Sequence, residues 1–286
     1  MKVLAGLHHI NQARSLIVGI KDILLHLDDS VAAEGRLELA ILFARKHKAN
    51  LRGLYPITHA YYEPREIGER SSLERVETMF RERTAAAGIS SEWIFLDSSV
   101  IGVTVSDILT SQAYYSDLVI AGQTKFRTPS LNTPANLPEH LVKACGRPVL
   151  VVPYTGSFET AGDRIMIAWK AGRESARSLN DAIPHVEKSL HVSVVGVSAE
   201  SVPSESDRSI ISVRNYLAQH AVTVRIDRIC TGNLSVGDTI LNIACEQAAD
   251  LLVRGAFAPT HRGTLALSPV AQHVLRHLTV PVLLSH

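Results

Sequence analysis

The pattern of apolar positions repeats once along the chain. Four apolar residues follow the i, i+3, i+4, i+7 spacing of one buried helix face, and the same spacing recurs 142 residues later. The two sets are Leu37, Ala40, Ile41 and Ala44, and then Leu179, Ala182, Ile183 and Val186. An apolar run of strand length precedes each set, at 23–28 and at 165–170. An internal repeat of this length predicts a duplicated domain.

Two further apolar runs repeat at an offset of 133 residues. The segment 117–122 falls on 250–255, and the segment 147–152 falls on 280–285. The second copy is therefore nine residues shorter in its middle, where loops and the second helix are expected.

Strand-like and helix-like patterns alternate within each copy. In the first copy we predict strands near 20–27, 51–56, 92–97, 117–122 and 148–153, and helices near 31–47, 66–86, 103–115 and 136–145. In the second copy we predict strands near 164–169, 191–198, 222–229, 250–254 and 280–285, and helices near 173–188, 206–220, 235–248 and 268–278. Pro184 lies inside one of these helices and is expected to kink or shorten it.

This alternation predicts an α/β fold, with two Rossmann-like, doubly wound, five-stranded parallel sheets in tandem. We expect an N-terminal extension over 1–19, a first domain over 20–153, a linker over 154–162 and a second domain over 163–286. A chain of 286 residues suits two domains of roughly 140 residues each.

Composition narrows the class of protein. Apolar residues make up 46% of the chain and charged residues 20%. The formal net charge is only +1, so the sequence does not predict a nucleic-acid-binding protein. The three cysteines, Cys145, Cys230 and Cys245, form no C-x-x-C pair and are expected to be buried, reduced thiols. Polar residues interrupt the apolar stretch of 1–19, so we expect neither a signal peptide nor a membrane span, and we predict a cytoplasmic protein.

Ligands of open parallel sheets bind beyond the carboxyl ends of the strands, where the strand order reverses. In the first copy this places Asp28, at the end of the first strand, near the loop that starts at Gly122. In the second copy the corresponding loop starts at Gly255.

The chain resembles the universal stress protein family across residues 20–286. The resemblance rests on Leu27-Asp28-Asp29-Ser30 after the first strand, on the Asp-Leu starts and Gly ends of 117–122 and 250–255, and on Pro148-Val149-Leu150 and Pro281-Val282-Leu283 in the final strands. The family's fourth strand continues into G-x2-G-x9-G-[S/T], whose glycines let backbone N–H groups approach phosphates at a helix N-terminus.

The resemblance implies an adenine-nucleotide site that is degenerate in both copies. In the first copy Asp28 and Gly122 match, but Lys125 replaces the second glycine, and Ala135-Asn136 replaces the closing pair. In the second copy Gly255 matches, whereas Lys170 stands in the place of Asp28, Ala258 replaces the second glycine, and Ser268-Pro269 replaces the closing pair. Two other interpretations remain open: Asp28 as a cap of the following helix, and Lys125 as an ordinary solvent-facing residue.

Candidate nucleotide-binding residues are therefore Asp28, Gly122, Lys125, Gly255 and Ser268, with ATP or AMP as the ligand that the first copy could hold. No G-x-S-x-G motif and no set of metal ligands is present, so we name no catalytic residue and no metal.

Three functions are compatible with these residues. The first is a non-enzymatic stress-response protein that binds a partner protein or a weakly held adenine nucleotide. The second is a nucleotide-binding enzyme, a weak ATPase or an adenylyl transferase. The third is a structural scaffold. The family topology also implies that the apolar edge strands 148–153 and 280–285 pair with each other within the chain, and it leaves open a homodimer formed through helical faces.

Overall fold

A computed structural model describes residues 19–58, 67–98, 102–124, 134–198, 205–259 and 265–286. The described elements alternate as the apolar pattern predicts. The first part of the chain contains β1 (Asp22–His26), α1 (Ala32–His47), β2 (Asn50–Thr58), α2 (Ile67–Ala86), β3 (Ser91–Ser98), α3 (Val105–Ala113), β4 (Leu118–Gly122), α4 (Leu137–Ala144) and β5 (Val149–Val152).

The second part contains β6 (Arg164–Trp169), α5 (Arg173–Val186), β7 (His191–Ser198), α6 (Glu205–Gln219), β8 (Arg225–Cys230), α7 (Val236–Glu246), β9 (Leu251–Gly255), β10 (Phe257–Pro259), β11 (Leu265–Leu267), α8 (Pro269–Arg276) and β12 (Val282–Ser285). We call β1 to β5 with their helices the first half, and β6 to β12 with theirs the second half. Pro184 lies within α5, which extends two residues beyond it.

Ten strands form one continuous sheet in the order β3-β2-β1-β4-β5-β12-β9-β6-β7-β8. Each half has the doubly wound order in which the chain moves outward from its first strand and then returns to the other side of it. Within this ten-stranded sheet, the five strands of each half are parallel to one another. The predicted α/β fold with two parallel five-stranded arrangements in tandem is confirmed.

The two halves join through their final strands. β12 runs antiparallel to β5, with Leu283 opposite Leu150 and the neighbouring valine and leucine residues paired on either side. Val149 to Val152 and Val282 to Leu284 are almost completely buried. Pairing removes both apolar edges from solvent, which is the arrangement that their sequence requires.

Helices cover both faces of the sheet because successive strand residues point to opposite faces. One apolar core lies under α1, α2, α5 and α6, and the other lies under α3, α4, α7 and α8. Both cores continue from one half into the other.

The residues between the halves pack along α1. Gly35 lies near the carbonyl oxygen of Gly156 and the ring of Phe158. The Lys46 ammonium donates to the carbonyl oxygens of Ala161 and Gly162 at 3.0 and 2.7 Å. The connection is therefore fixed to the first half before β6 begins.

Two sequence expectations are wrong. Of the three cysteines, Cys145 is buried, whereas Cys230 ends the outer strand β8 and Cys245 lies on the exposed side of α7 in its final turn, so both are exposed. The sequence predicts no strand between residues 254 and 268, but short strands β10 and β11 pair there in antiparallel fashion, with Phe257 opposite Leu267.

No helix in the described part of the chain is both long and apolar enough to cross a bilayer.

Candidate functional site

Asp28 and Gly122 lie at the carboxyl ends of neighbouring strands. β1 pairs with β4 in parallel, with Leu25 opposite Ile120, so the residues that follow each strand emerge side by side. This is the position at which the strand order of the first half reverses. The structure therefore brings together two of the residues that the sequence selected.

Arg36 of α1 occupies the space between these two residues. Its Nη2 donates to Oδ1 of Asp28 at 2.8 Å, and its Nε donates to the carbonyl oxygen of His26 at 2.8 Å. The Arg36 side chain is 3% exposed and the Asp28 side chain 1%. An ion pair this deeply buried is held by its geometry, and removing either partner is expected to destabilise the fold.

The same Asp28 oxygen accepts two hydrogen bonds from Ser30. The Ser30 amide lies at 3.2 Å and the Ser30 hydroxyl at 2.5 Å. α1 begins after Val31, which makes no side-chain capping hydrogen bond. Asp28 thus stabilises the turn before α1 and does not cap the helix itself.

Gly122 is in close contact with the Arg36 guanidinium. A Cβ atom at Gly122 would collide with Nη1 of Arg36, so only glycine allows this approach. In the nucleotide-binding pattern the first glycine lets a phosphate come close to the backbone. In this chain an internal guanidinium occupies that space.

The loop that begins at Gly122 is held at its two ends. The Thr124 hydroxyl donates to the carbonyl oxygen of Ala135 at 2.6 Å, and Asn136 precedes α4 without a side-chain capping hydrogen bond. Lys125 lies outside the described residues, so its role stays a prediction.

The second half closes the equivalent position in a different way. Lys170, in the place of Asp28, is exposed. The start of α5 lies directly against Gly255, where a Cβ atom would be 2.7 Å from the Glu174 carbonyl carbon. The Glu174 carboxylate also lies 3.1 Å from Nδ1 of His286, which places a carboxylate–imidazole contact next to Gly255. Backbone and side chains of the second half thus fill this position without an aspartate–arginine pair.

Ser268 is the N-cap of α8. Its hydroxyl accepts from the Ala271 amide at 3.1 Å, and Pro269 occupies the first turn. Because the proline has no N–H group, this helix start offers fewer donors to a phosphate than the family's glycine–serine pair. The predicted site residue Ser268 therefore has a structural role that accounts for its position.

Arg254 is a buried cation beside Ser268. Its Nη2 lies 3.4 Å from the Ser268 hydroxyl oxygen, and its Nε donates to the Gly255 carbonyl oxygen at 3.1 Å. Nη1 is buried and has no hydrogen-bond partner among the described residues. Burial lowers the pKa of Arg254 to about 10.

Sequence reasoning missed both arginines. Arg36 adjoins the apolar face of α1 and Arg254 lies in a strand, so hydrophobic spacing does not select them. The internal repeat contained a usable signal for Arg36, because Ser178 corresponds to it where Lys170 corresponds to Asp28. The aspartate and the arginine are present together in one copy and absent together from the other, as expected for contacting partners.

The described residues contain no group of three or more histidine, cysteine, aspartate or glutamate side chains that could hold a metal ion. The described side chains at the two strand ends contact each other, and we assign none of them a catalytic role.

The fold defines a tandem α/β protein, in which two doubly wound five-stranded halves share one sheet. The sequence model of the Universal stress protein family matches residues 185–286, which cover most of the second half. The curated proteins include no significant match.

Two solved structures show the same fold over nearly the whole chain. A universal stress protein from Archaeoglobus fulgidus is 19% identical with a TM-score of 0.68, and the alignment covers 92% of this chain and 95% of that one. A functionally unknown protein from Pseudomonas aeruginosa is 20% identical with a TM-score of 0.59, covering 93% and 92%. The chain therefore has the fold of these tandem proteins, and most of its second half matches the universal stress protein family that the sequence resembles.

Proposed function

We propose that this chain is a non-enzymatic stress-response protein that acts by binding a partner protein, and that its first half is closed to adenine nucleotides by its own Arg36. The observation that carries the proposal is the buried ion pair between Asp28 and Arg36 in front of Gly122. Asp28 is the residue that the family resemblance assigns to the adenosine group, and its carboxylate is already bound.

A nucleotide would have to displace a guanidinium from a carboxylate. The ion pair is almost completely excluded from water, and Arg36 makes a further hydrogen bond to the backbone of β1. Opening it would break a buried ion pair together with the hydrogen bond from Arg36 to the His26 carbonyl oxygen, so ATP or AMP would be held weakly in this half. The second half lacks the aspartate and presents Pro269 at the helix start, which favours still weaker binding.

Calorimetric titration of the full-length protein tests this proposal. With Mg-ATP and with AMP we expect no affinity tighter than the high-micromolar range, which corresponds to about −5 kcal/mol. Arg36→Met keeps an unbranched, flexible side chain but removes the guanidinium from Asp28 and from the space beside Gly122, so this variant is expected to bind nucleotide at least several-fold more tightly. Asp28→Asn combined with Arg36→Met is the matched control, because it removes the charge that would be freed.

The outcomes separate the alternatives clearly. Micromolar affinity in the unmodified protein would overturn the proposal and favour the nucleotide-binding enzyme, and turnover of ATP by the same sample would establish that enzyme. If Arg36→Met binds and Lys125→Ala in the same background weakens binding, Lys125 supplies charge as the sequence suggests. If Arg36→Met gains nothing, Arg36 is not what excludes the nucleotide.

A further inference from the structure

Two histidine rings meet where the ends of α1 and α5 come together. Nε2 of His47 lies 3.0 Å from Nδ1 of His185, and the ring planes are nearly perpendicular. His47 is 3% exposed and His185 is 1% exposed. Phe43 packs against both, parallel to the His47 ring and edge-on to the His185 ring. We call Phe43, Lys46, His47, His185 and Lys188 the histidine junction.

The hydrogen-bond pattern fixes where the protons lie. Lys188 Nζ is 3.3 Å from Nδ1 of His47 and can only donate, so this nitrogen accepts. His47 then donates from Nε2 to Nδ1 of His185, which places the remaining proton on Nε2 of His185. That nitrogen is buried and has no hydrogen-bond partner among the described residues. Both rings are therefore neutral in the closed junction, and neither has room for a second proton.

The charges that face the rings are cationic. Lys188 touches His47 directly and donates to the Lys46 carbonyl oxygen at 3.2 Å, while the Lys46 ammonium is 2.6 Å from the Asp163 carboxylate. Burial and these two lysines lower the pKa of His47 to about 3, and burial lowers the pKa of His185 well below its usual range.

Other lysines lie near Lys188 and add to the positive charge around the two rings. Lys21, Lys46 and Lys48 lie close enough to lower its pKa after burial does so, and Glu187 acts in the opposite direction. Glu187 itself lies 3.4 Å from His220 and is not within the junction. No carboxylate among the described residues contacts either ring, so a proton on the pair would have no counter-charge.

We propose that the histidine junction is an acid-sensitive contact between the two halves, which releases the ends of α1 and α5 from each other when the rings take up protons. The contact joins elements that are 138 residues apart in the chain. β5 and β12 remain paired through their own ladder, so release is local and leaves the sheet intact.

The direction of the effect follows from proton linkage. Each ring binds a proton readily when exposed, at its ordinary pKa of 6.5, and much less readily when buried. Protons therefore favour the open state below that pH, by about tenfold per pH unit for each ring. For two rings the opening equilibrium should rise about a thousandfold between pH 7.5 and pH 5.0.

Native-state hydrogen exchange of the full-length protein measures this opening even when the open state is rare. The reporter amides are Ala49, which donates to Ala44 at the end of α1, and Glu187, which donates to Ile183 at the end of α5. The reference amide is Cys145, which donates to Leu141 at the end of α4 under the opposite face of the sheet. Protection factors, corrected for the intrinsic pH dependence of exchange, should fall about a thousandfold for the reporters and far less for the reference.

Substitutions of the two histidines test whether the loss of amide protection comes from their protonation. His185→Gln retains one titrating ring and should reduce the fall to about thirtyfold, and His47→Gln combined with His185→Leu should abolish it. His191→Gln removes an exposed histidine and should behave like the unmodified protein. The proposal is overturned if the reporters keep their protection at pH 5.0, if the double variant loses as much as the parent, or if Cys145 falls as far as Ala49.

Discussion

Glu139 is a carboxylate in the first turn of α4, next to the boundary between the two halves. Its Oε2 atom is buried and has no hydrogen-bond partner among the described residues. Burial raises the pKa of Glu139, and the hydrogen bond from its own backbone amide and the nearby charge of Arg276 only partly oppose this. At the level of single residues, this side chain is one of the places where the fold tolerates an unfavourable charge.

Glu139→Gln should therefore stabilise the protein at neutral pH. A folded-state pKa above the unfolded one means that ionisation favours the unfolded chain, so stability is lost as pH rises through this window. The amide removes that penalty, and we expect the free energy of unfolding at pH 7 to rise by about 1 kcal/mol. Below the unfolded pKa of about 4.3 both states carry a proton, and the gain should vanish.

Denaturant unfolding at pH 7 and pH 4 checks this prediction. Glu246→Gln, at an exposed position in the last turn of α7, is the control and should change neither value. A Glu139→Gln protein that is less stable than the parent at pH 7 would contradict it.

The two halves fill the same position of the fold, beside Gly122 and beside Gly255, with different groups. The first half uses Asp28 and Arg36, and the second uses the backbone of α5 with Glu174 and His286. Neither solution needs an external ligand to satisfy the strand ends. This difference is the residue-level basis for expecting weak nucleotide binding.

At the level of elements, α3 and α7 begin with the same kind of N-terminal cap. Thr104 caps α3 and is bonded in return by Asp107, and Ser235 caps α7 with Asp238 in the corresponding role. These hydrogen bonds lower the pKa of each aspartate. The repeated cap shows that the duplication conserves local structure where packing demands the same helix, although side chains at the strand ends differ.

The antiparallel pairing of β5 with β12 joins the two halves into one sheet. Leu283 is completely buried and contributes to a core that spans both halves. Leu283→Lys would place a charge in this core or force the strand out of the ladder, and we expect a loss of at least about 3 kcal/mol in the free energy of unfolding, together with increased aggregation.

Unfolding midpoints and size-exclusion chromatography measure the two effects. Leu190→Lys is the matched control, because the same exchange is made at a leucine that is 73% exposed. A Leu283→Lys protein as stable and soluble as the Leu190→Lys protein would show that the strand contact is dispensable.

At the level of the whole molecule, the outer edges of the sheet differ from its centre. β3 and β8 carry charged residues such as Glu92, Asp97, Arg225 and Asp227, which discourage strand pairing between molecules. The apolar strands β5 and β12 pair with each other in the middle of the sheet. Any homodimer of this chain is therefore proposed to form through helical faces.

If the second half is produced on its own, β12 loses its partner β5 and its free edge becomes available to another molecule. We propose domains over 20–153 and 163–286, joined by the linker 154–162. A fragment of residues 163–286 would expose Val282 to Leu284 along an unpaired strand, and we expect it to self-associate or aggregate where the full-length chain does not. Sedimentation at micromolar concentrations measures this, with the same fragment carrying Leu283→Lys as a control for strand-mediated association. A monomeric, folded fragment would contradict the prediction.

The sequence by itself determined the elements and their order. Apolar spacing is a local property of the chain, so the helix faces at Leu37–Ala44 and Leu179–Val186, the buried strands and the duplication could be read without coordinates. It also placed Asp28 and Gly122 side by side, since parallel strands bring their carboxyl ends to one edge.

Only the tertiary structure decided what fills those strand ends and what joins the halves. Arg36 reaches Asp28 because α1 packs on β1 and β4, and His47 meets His185 because two helices far apart in sequence converge. The hairpin of β10 and β11 arose in a segment too short to carry a periodic signal. Contacts of this kind depend on side-chain direction and on packing between distant elements, and a one-dimensional pattern contains neither.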